Sequence, residues 1–177
     1  MEARDARLPG WLVAELRSDH AGETGAVWMY RAILRFARDE ALRQFALRHG
    51  RTEQSHLDLI EAWLPASARS RLLPLWRLAG WMTGALPALV GPRAVYATIE
   101  AVESFVDRHY AAQIERLVDH PALGELHATL VACRDDELSH RDEAAASRGE
   151  PPGLLQRGWA WTVNAGSQFA VAVCRHV

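Results

Sequence analysis

Apolar side chains recur at intervals of three and four residues along most of this chain, whereas strict alternation of apolar and polar residues is hardly visible. A spacing close to 3.6 residues is typical of helices that bury one face. Proline and glycine interrupt the pattern, most clearly around residues 9–10, 65, 91–92 and 149–153. The pattern therefore predicts an all-α protein, and a helix bundle is the natural arrangement for its long helices. These four helices are predicted over about residues 11–38, 40–64, 92–118 and 122–147.

Two further segments, about residues 72–90 and 154–174, are strongly apolar and are also predicted to be helical. The first contains an uncharged run of 15 residues and the second an uncharged run of 17. Both runs are shorter than the ~20 apolar residues that a membrane-spanning helix needs. Apolarity alone leaves two interpretations open: a helix buried in the core, or an interfacial helix that lies in a membrane surface with its tryptophans at headgroup depth.

Charge placement favours the membrane interpretation. The 177 residues suit one globular domain over residues 1–177, and 20 basic and 22 acidic residues give a net charge of −2. Residues 62–99 and 151–177 contain six arginines and no acid, so these segments carry +6 and the remainder carries −8. Apolar segments edged only by arginine suit an anionic leaflet, so we expect a membrane surface as a peripheral partner. The near-neutral total argues against a broad nucleic-acid-binding face.

Residue usage excludes several classes of chemistry. The two cysteines, Cys133 and Cys174, are far apart and form no CxxC pair, which argues against a disulfide scaffold, a zinc ribbon or a rubredoxin-type iron site. All basic residues are arginine, so Schiff-base and P-loop lysine chemistry are excluded. Residues 1–7 include acids and no apolar run typical of a signal peptide, so we expect a protein of the cytoplasmic side.

Two ExxH tetrads on separate predicted helices are the strongest candidate chemistry. Glu53–His56 and Glu137–His140 each place a carboxylate and an imidazole on one helix face. Glu23 precedes the first tetrad by 30 residues and Glu103 precedes the second by 34, each on the preceding helix. The order Glu…ExxH…Glu…ExxH over four helices is the ligand pattern of bundles that hold a di-iron or di-manganese centre. The predicted metal ligands are Glu23, Glu53, His56, Glu103, Glu137 and His140.

Charge balance explains why such a pattern needs metal. Four glutamates facing inward in a bundle core are costly unless they are paired, protonated or bound to a cation. Two divalent ions would balance the four negative charges, with carboxylates bridging them and one imidazole on each. A mixed set of oxygen and nitrogen donors suits iron or manganese, whereas zinc more often binds cysteine or additional histidine.

Several other polar residues have both a structural and a functional interpretation. Tyr110, two helical turns after the second isolated glutamate, falls near the same helix face and is a candidate catalytic residue with its neighbour His109. His109 and His20 can equally be hydrogen-bonding residues of the core. Asp135–Asp136 is either solvated or orients a ligand imidazole. The other histidines, His49, His120, His127 and His176, are predicted to lie on the surface or in turns.

With these residues assembled, the sequence resembles the demethoxyubiquinone hydroxylase family of ubiquinone biosynthesis. The matching strings are the DHAGETGA run that starts at Asp19, the first ExxH tetrad, Val102-Glu103 with His109-Tyr110, and the RDDELSH run that ends at His140. These strings keep the family's order over residues 19–140. The resemblance implies a ferritin-like four-helix bundle with two additional membrane-interfacial helices and a carboxylate-bridged di-iron centre.

The resemblance also implies an activity, the O₂-dependent hydroxylation of the benzoquinol ring of a polyprenylated ubiquinone precursor. The six predicted ligands then become iron ligands, with Glu53 and Glu137 as the bridging carboxylates. Two iron ions are the expected cofactors, O₂ is the co-substrate, and the external reductant is NADH or the quinol itself. The expected partners are the prenylated quinol and the cytoplasmic face of the cell membrane. Other ubiquinone-biosynthesis proteins and a second copy of the chain are further candidates.

Alternative functions remain open at this point. A di-iron quinol oxidase would share the ligands and the membrane attachment but would reduce O₂ to water. A non-enzymatic helical membrane scaffold would use the same glutamates and histidines only as polar core residues. A ferritin-like or rubrerythrin-like iron oxidase fits less well, because neither needs apolar segments edged by arginine.

Overall fold

The structure, a computed structural model, describes residues 8–177, and every regular element in this range is helical. The all-α fold class is confirmed, and each helix begins and ends within two residues of its predicted limits. The expectation for residues 1–7 lies outside the described residues. The six α-helices are α1 (Gly10–Phe36), α2 (Glu40–Trp63), α3 (Leu73–Val90), α4 (Pro92–Leu117), α5 (Gly124–Arg148) and α6 (Leu154–Cys174).

Local chemistry explains where the helices begin and end. Asp39 caps α2 by accepting a hydrogen bond from the backbone N–H of Leu42 at 2.8 Å, which satisfies a free donor of the first turn. Gly91 joins α3 to α4 with a φ of 138°, a backbone conformation that favours glycine. Pro92 then takes the first position of α4, where its missing N–H leaves no bond unmade.

Helices α1, α2, α4 and α5 form a bundle with an apolar cluster towards each end. One cluster contains Leu16, Ile60 and Leu130, and the other contains Ile33 and Ile99, all nearly inaccessible to solvent. The middle of each of the four helices contributes buried polar side chains instead. The apolar ends therefore enclose a polar centre, which is where the predicted ligands lie.

Helices α3 and α6 pack on the outside of this bundle, α3 mainly against α1 and α6 mainly against α4. A Cβ atom added to Gly80 of α3 would lie 2.0 Å from the carbonyl oxygen of Gly25 of α1, so the two backbones touch there. Trp159 of α6 donates from Nε1 to the hydroxyl of Thr98 at 2.8 Å. No helix within residues 8–177 combines the length and apolarity needed to cross a membrane.

Candidate metal centre

The structure brings all six predicted ligands together in the middle of the bundle, and each is at most 4% exposed. They form two overlapping donor sets that share Glu53 and Glu137. Within each set, one ligand atom per residue can be chosen so that all lie within 4.8 Å of one another. The first set is Glu23, Glu53, His56 and Glu137, and the second is Glu53, Glu103, Glu137 and His140.

The two tetrads face each other reciprocally. The Nδ1 atom of His56 lies 3.0 Å from Oε1 of Glu137, and the Nδ1 atom of His140 lies 3.0 Å from Oε1 of Glu53. Each imidazole thus points at the glutamate of the other tetrad. The α1–α2 and α4–α5 halves are therefore related by an approximate two-fold arrangement around the shared glutamates.

Burial and mutual repulsion set the protonation of the glutamates. Burial, followed by the negative charge of Glu137, raises the pKa of Glu23 and of Glu103 well above the ordinary value. Burial alone would also raise the pKa of Glu137, but His140 and His56 outweigh it and lower this pKa to about 2. Without metal, the cluster therefore retains protons on some carboxyl groups and keeps Glu137 ionised.

The imidazoles complement these carboxylates. Burial alone would lower the pKa of both histidines. Glu137 with Glu23 raises the pKa of His56 to about 10, and Glu137 with Glu53 raises that of His140 to about 9. Within residues 8–177, these two imidazoles are the only basic side chains within 4.0 Å of the four glutamates. No arginine within the described residues contacts the cluster, so its four glutamates depend on these two imidazoles, on retained protons or on a bound cation for charge balance.

An unpartnered atom at the cluster favours a bound cation. Oε1 of Glu103 is buried and has no hydrogen-bond partner within the described chain. Nδ1 of His140 has only carboxylate oxygens beside it, Glu53 Oε1 at 3.0 Å and Glu137 Oε2 at 3.3 Å. Buried polar atoms are rarely left unpaired in native proteins unless something else binds them. Carboxylate oxygens together with one imidazole per set are suitable donors for iron or manganese. The residues present therefore fit a pair of such ions.

Residues around the cluster contact the imidazoles on the side that faces away from the glutamates. Asp136 Oδ2 lies 3.1 Å from Nε2 of His56, which leaves Nδ1 to face the cluster and supports the predicted orienting role of this aspartate. His49 was predicted to lie on the surface or in a turn, and this is wrong, because it is 6% exposed. Its ring centroid lies 4.1 Å from that of His140, and its Nε2 atom lies 2.8 Å from Glu143. In the sequence, its position one helical turn before Glu53 could have indicated that it faces the cluster.

The two candidate catalytic residues occupy different positions relative to the cluster. Tyr110 is buried and donates its hydroxyl to Oε1 of Glu23 at 2.5 Å. His109 does not reach the predicted ligands, and its Nε2 atom lies 2.9 Å from Oδ1 of Asp19. The sequence interpretation missed Asp19, which also accepts a hydrogen bond from Gln113 at 2.7 Å. In the sequence, its position at the start of the DHAGETGA run, four residues before Glu23, could have indicated this role.

His20 also lies outside the cluster. Its Nε2 atom lies 3.0 Å from Oε1 of Glu61, which Arg69 contacts as well, at 2.9 Å. His20 is therefore a hydrogen-bonding residue, one of the two interpretations open for it.

A mostly apolar cavity of about 310 Å³ connects the cluster to the outer helices. It lies between α3 and α6 and is lined by Trp76 and Gly80 of α3 and by Trp159 and Val163 of α6. All four glutamates of the cluster also line it, as do Tyr110 and His109. A cavity with apolar walls and a polar end suits a ligand that carries a reactive polar ring on an apolar chain.

Comparisons with known proteins agree on one family. The profile of the family described as ubiquinone biosynthesis protein COQ7 matches residues 11–174. A 3-demethoxyubiquinol 3-hydroxylase of Rhodospirillum rubrum is 36% identical over 168 residues, 92% of this chain and 76% of that protein. The mitochondrial NADPH-dependent 3-demethoxyubiquinone 3-hydroxylase of Caenorhabditis elegans is 28% identical over 172 residues, 92% of this chain and 88% of that protein. A 3-demethoxyubiquinol 3-hydroxylase of Cupriavidus necator is 31% identical over 142 residues, 77% and 66% of the two chains.

Proposed function

This chain belongs to the family of the ubiquinone biosynthesis protein COQ7, and we propose that it is an O₂-dependent di-iron monooxygenase. Its substrate is a polyprenylated demethoxyubiquinol, and the benzoquinol ring is hydroxylated. The observation that carries this proposal is the continuity between the apolar cavity and the buried cluster of four glutamates and two histidines. A ring that enters the cavity from the side of α3 and α6 meets the cluster at the inner end.

The metal ions would be two irons, held by the residues of both tetrads. Glu53 and Glu137 belong to both donor sets, so they are the residues suited to bridging two ions. Glu23 with His56 completes one set, and the remaining glutamate and histidine complete the other. When bound, such ions supply the O₂-activating redox chemistry, while the protein controls ligation and access.

The protein's own groups prepare the inner end of the cavity for a quinol. Tyr110 fixes the carboxylate of Glu23 through its hydrogen bond. Burial alone would lower the pKa of His109, but the hydrogen bond and charge of Asp19 raise it. His109 lies on the cavity wall with Nε2 hydrogen-bonded to Asp19, so it is positioned to exchange a proton with a quinol hydroxyl. The apolar walls limit the access of bulk water to the reacting ring.

Membrane docking is the second part of the proposal, since a polyprenylated quinol resides in a bilayer. The outward faces of α3 and α6 carry large apolar side chains, among them Leu89 at 69%, Leu155 at 91% and Trp161 at 72% exposure. Of the six arginines of the acid-free segments, three contact acids: Arg69 with Glu61, Arg93 with Glu150 and Arg175 with Glu15.

The other three arginines are Arg71, Arg77 and Arg157, and among residues 8–177 no acid lies within 4.0 Å of them. Exposed apolar faces edged by free arginines suit an anionic lipid surface. We place the protein peripherally on the cytoplasmic face of the cell membrane, with α3 and α6 towards the lipid. The cavity between these helices would then face the membrane from which the quinol enters.

The reducing electrons come from outside the chain in this proposal. The external reductant is a reduced nicotinamide, NADH in the sequence interpretation, or the quinol itself. The name of the C. elegans relative specifies NADPH, so both nicotinamides belong in the assay. Other ubiquinone-biosynthesis proteins and a second copy of the chain remain candidate partners.

The decisive experiment follows the fate of oxygen. Iron-loaded protein is reduced, mixed with a short-chain demethoxyquinol and ¹⁸O₂, and the quinone products are analysed by mass spectrometry. The proposal requires a product that carries one ¹⁸O atom on the ring. Oxygen uptake with oxidation of the quinol but without ring hydroxylation would instead identify a quinol oxidase.

A matched pair of variants tests whether the cluster is responsible. Glu103→Gln removes a predicted ligand and should abolish both full iron loading and ring hydroxylation. Glu100→Gln lies one helical turn away and alters only a residue paired with Arg148 at 2.9 Å, so iron loading should persist. Wild-type protein that bound neither iron nor manganese would support the scaffold interpretation and contradict the proposal.

A further inference from the structure

The approximate two-fold arrangement of the cluster extends to a pair of tyrosines. Tyr30 follows Glu23 by seven residues on α1, and Tyr110 follows Glu103 by seven residues on α4. Both tyrosines are 1% exposed. Seven residues correspond to about two helical turns, so each tyrosine shares a helix face with the glutamate that precedes it.

One of these tyrosines already has its partner in the opposite half. The hydroxyl of Tyr110 on α4 donates to Oε1 of Glu23 on α1 at 2.5 Å. The two-fold arrangement predicts the corresponding bond from Tyr30 on α1 to Glu103 on α4. The described structure lacks that bond: the Tyr30 hydroxyl and Oε1 of Glu103 are both buried and have no partner within residues 8–177.

The surroundings of Tyr30 place it beside the cluster. Burial raises the pKa of Tyr30 well above the ordinary value, and Glu103 raises it further, ahead of Glu53 and Glu137. An added Cβ on Gly50 of α2 would lie 3.1 Å from the Cβ of Tyr30, so α2 approaches the tyrosine closely. An unpaired buried hydroxyl is unfavourable, and close packing by its neighbours leaves the ring little room to turn away.

We propose that Tyr30 is a positioning residue of the metal centre, whose hydroxyl donates to the Glu103 carboxylate when metal is bound, as Tyr110 donates to Glu23. This inference rests on the proposed metal centre. A carboxylate that binds a metal ion still accepts hydrogen bonds, and such bonds to ligands typically change metal affinity about 10- to 100-fold. Within residues 8–177 the Tyr30 hydroxyl has no other partner, so the bond to Glu103 is the one that would satisfy it.

The chain offers an internal set of controls, because its three tyrosines are Tyr30, Tyr96 and Tyr110. Tyr96 is buried in the same apolar cluster as Tyr30, and after burial it is the charge of Asp39, not of a predicted ligand, that raises its pKa. The experiment replaces each tyrosine by phenylalanine in the full chain. It measures thermal unfolding without metal and Co²⁺ affinity by titration, with the visible absorption of bound Co²⁺ as the reporter of ligand geometry.

For Tyr30→Phe, the expected change in melting temperature without metal and the expected change in Co²⁺ affinity have opposite signs. Tyr30→Phe should melt at or above the wild-type temperature without metal, bind Co²⁺ on the order of tenfold more weakly, and change the Co²⁺ absorption. Tyr110→Phe should lower the melting temperature without metal, because it breaks an existing bond, and should also weaken Co²⁺ binding. Tyr96→Phe should leave the Co²⁺ affinity and spectrum unchanged.

Two outcomes would overturn the inference, and a third separates it from the proposed function. Tyr30→Phe protein with wild-type Co²⁺ affinity and spectrum would show that the hydroxyl takes no part in the site. A loss of affinity equal to that of Tyr96→Phe would show a packing effect only. Wild-type protein that bound no Co²⁺ would overturn the metal centre itself, and this inference with it.

Discussion

At the scale of single residues, the cluster depends on contacts that cross from one half of the bundle to the other. Asp136 lies next to the ligand Glu137 in sequence, yet it holds His56 of the opposite tetrad at 3.1 Å. His49 supports His140 in the same crossed manner, through ring packing between α2 and α5. Each imidazole is therefore oriented by the half that it does not belong to. Removing one such support should loosen the metal site without unfolding the bundle.

Asp136→Ala tests this support directly. Its side chain is 56% exposed, so the change should cost little stability, whereas Fe²⁺ affinity should fall by about tenfold as His56 loses its fixed orientation. The matched control is Asp135→Ala, which removes an exposed neighbouring carboxylate that makes none of these contacts. Anaerobic Fe²⁺ titration of the two variants measures the difference. Equal affinities would contradict an orienting role for Asp136.

The protonation of the cluster predicts how metal binding depends on pH. In the metal-free protein, the pKa values of His56 and His140 are about 10 and 9, and those of Glu23 and Glu103 are raised. Metal must displace these protons, so affinity for Mn²⁺ should rise steeply between about pH 6 and 8, by about tenfold per pH unit for each proton displaced. Titration followed by electron paramagnetic resonance measures this slope. A flat profile would contradict the protonated state.

The stability of the metal-free protein should change in the opposite direction. Histidines whose folded pKa is raised stabilise the fold fully below their unfolded pKa, and this contribution is lost as pH rises towards 9 and 10. The melting temperature without metal should therefore fall between about pH 6.5 and 10. Saturating Mn²⁺ should reduce this decline, since the ion replaces the protons. A melting temperature that rises over this range without metal would contradict the assignment.

Residue-level prediction from the sequence succeeded where a pattern repeats and failed where contacts are unique. The spacing of Glu23, Glu103 and the two tetrads marked side chains that the structure indeed brings together. His49 and Asp19 carry no repeated spacing, and their roles depend on which helix packs beside them. Tyr30 does repeat the spacing of Tyr110, but its role depends on a hydroxyl that has no partner within residues 8–177, which the sequence does not show.

At the scale of helices, hydrophobic periodicity was sufficient to place every boundary within two residues, whereas packing partners were not predictable. Helix α3 is the clearest case. Its inward positions include Gly80 and Gly84, where added Cβ atoms would lie 2.0 and 2.2 Å from backbone oxygens of α1. Its outward positions carry leucines such as Leu78 and Leu89. With apolar residues on both sides, the sequence of α3 could not indicate which face meets α1.

Gly80→Ala tests this close approach. The added methyl group meets the backbone of Gly25, which cannot rotate away, so the free energy of unfolding should fall by about 2 kcal/mol or more. Gly158→Ala on α6 is the control, since nothing lies within 4 Å of its added Cβ, and it should gain up to about 1 kcal/mol from helix propensity. Urea unfolding of both variants provides the comparison. A stabilised Gly80→Ala protein would show that α3 does not contact α1 in this way.

At the scale of the whole molecule, the bundle and the two outer helices have different roles. The bundle holds the charged cluster away from water, and α3 and α6 form the apolar walls through which the cluster can be reached. The sequence could predict both parts. The spacing of glutamate and histidine marks the bundle, and long uncharged runs mark the outer helices. The sequence could not predict the cavity between the outer helices. A cavity depends on how the helices that line it are spaced, and hydrophobic periodicity does not determine this spacing.

The placement of free arginines predicts how the molecule meets a bilayer. Arg77 and Arg157 lie on α3 and α6 beside exposed apolar residues, whereas Arg48 and Arg51 are exposed on α2, which packs against α1 and α5. Each arginine near an anionic surface contributes about 1 kcal/mol to binding. The double change of Arg77 and Arg157 to glutamine should therefore weaken binding to phosphatidylglycerol-containing vesicles on the order of thirtyfold at low salt.

The same double change at Arg48 and Arg51 removes an equal charge and separates a docking face from a general effect of net charge. This control should bind the vesicles nearly as well as wild type, because its arginines point away from the lipid in the proposed orientation. Vesicle co-sedimentation at about 50 mM and 300 mM salt measures both variants, and wild-type binding should weaken as screening increases. Equal losses in the two double variants would mean that no particular face meets the membrane. Retained binding in the Arg77 and Arg157 variant would place the docking surface elsewhere on the molecule.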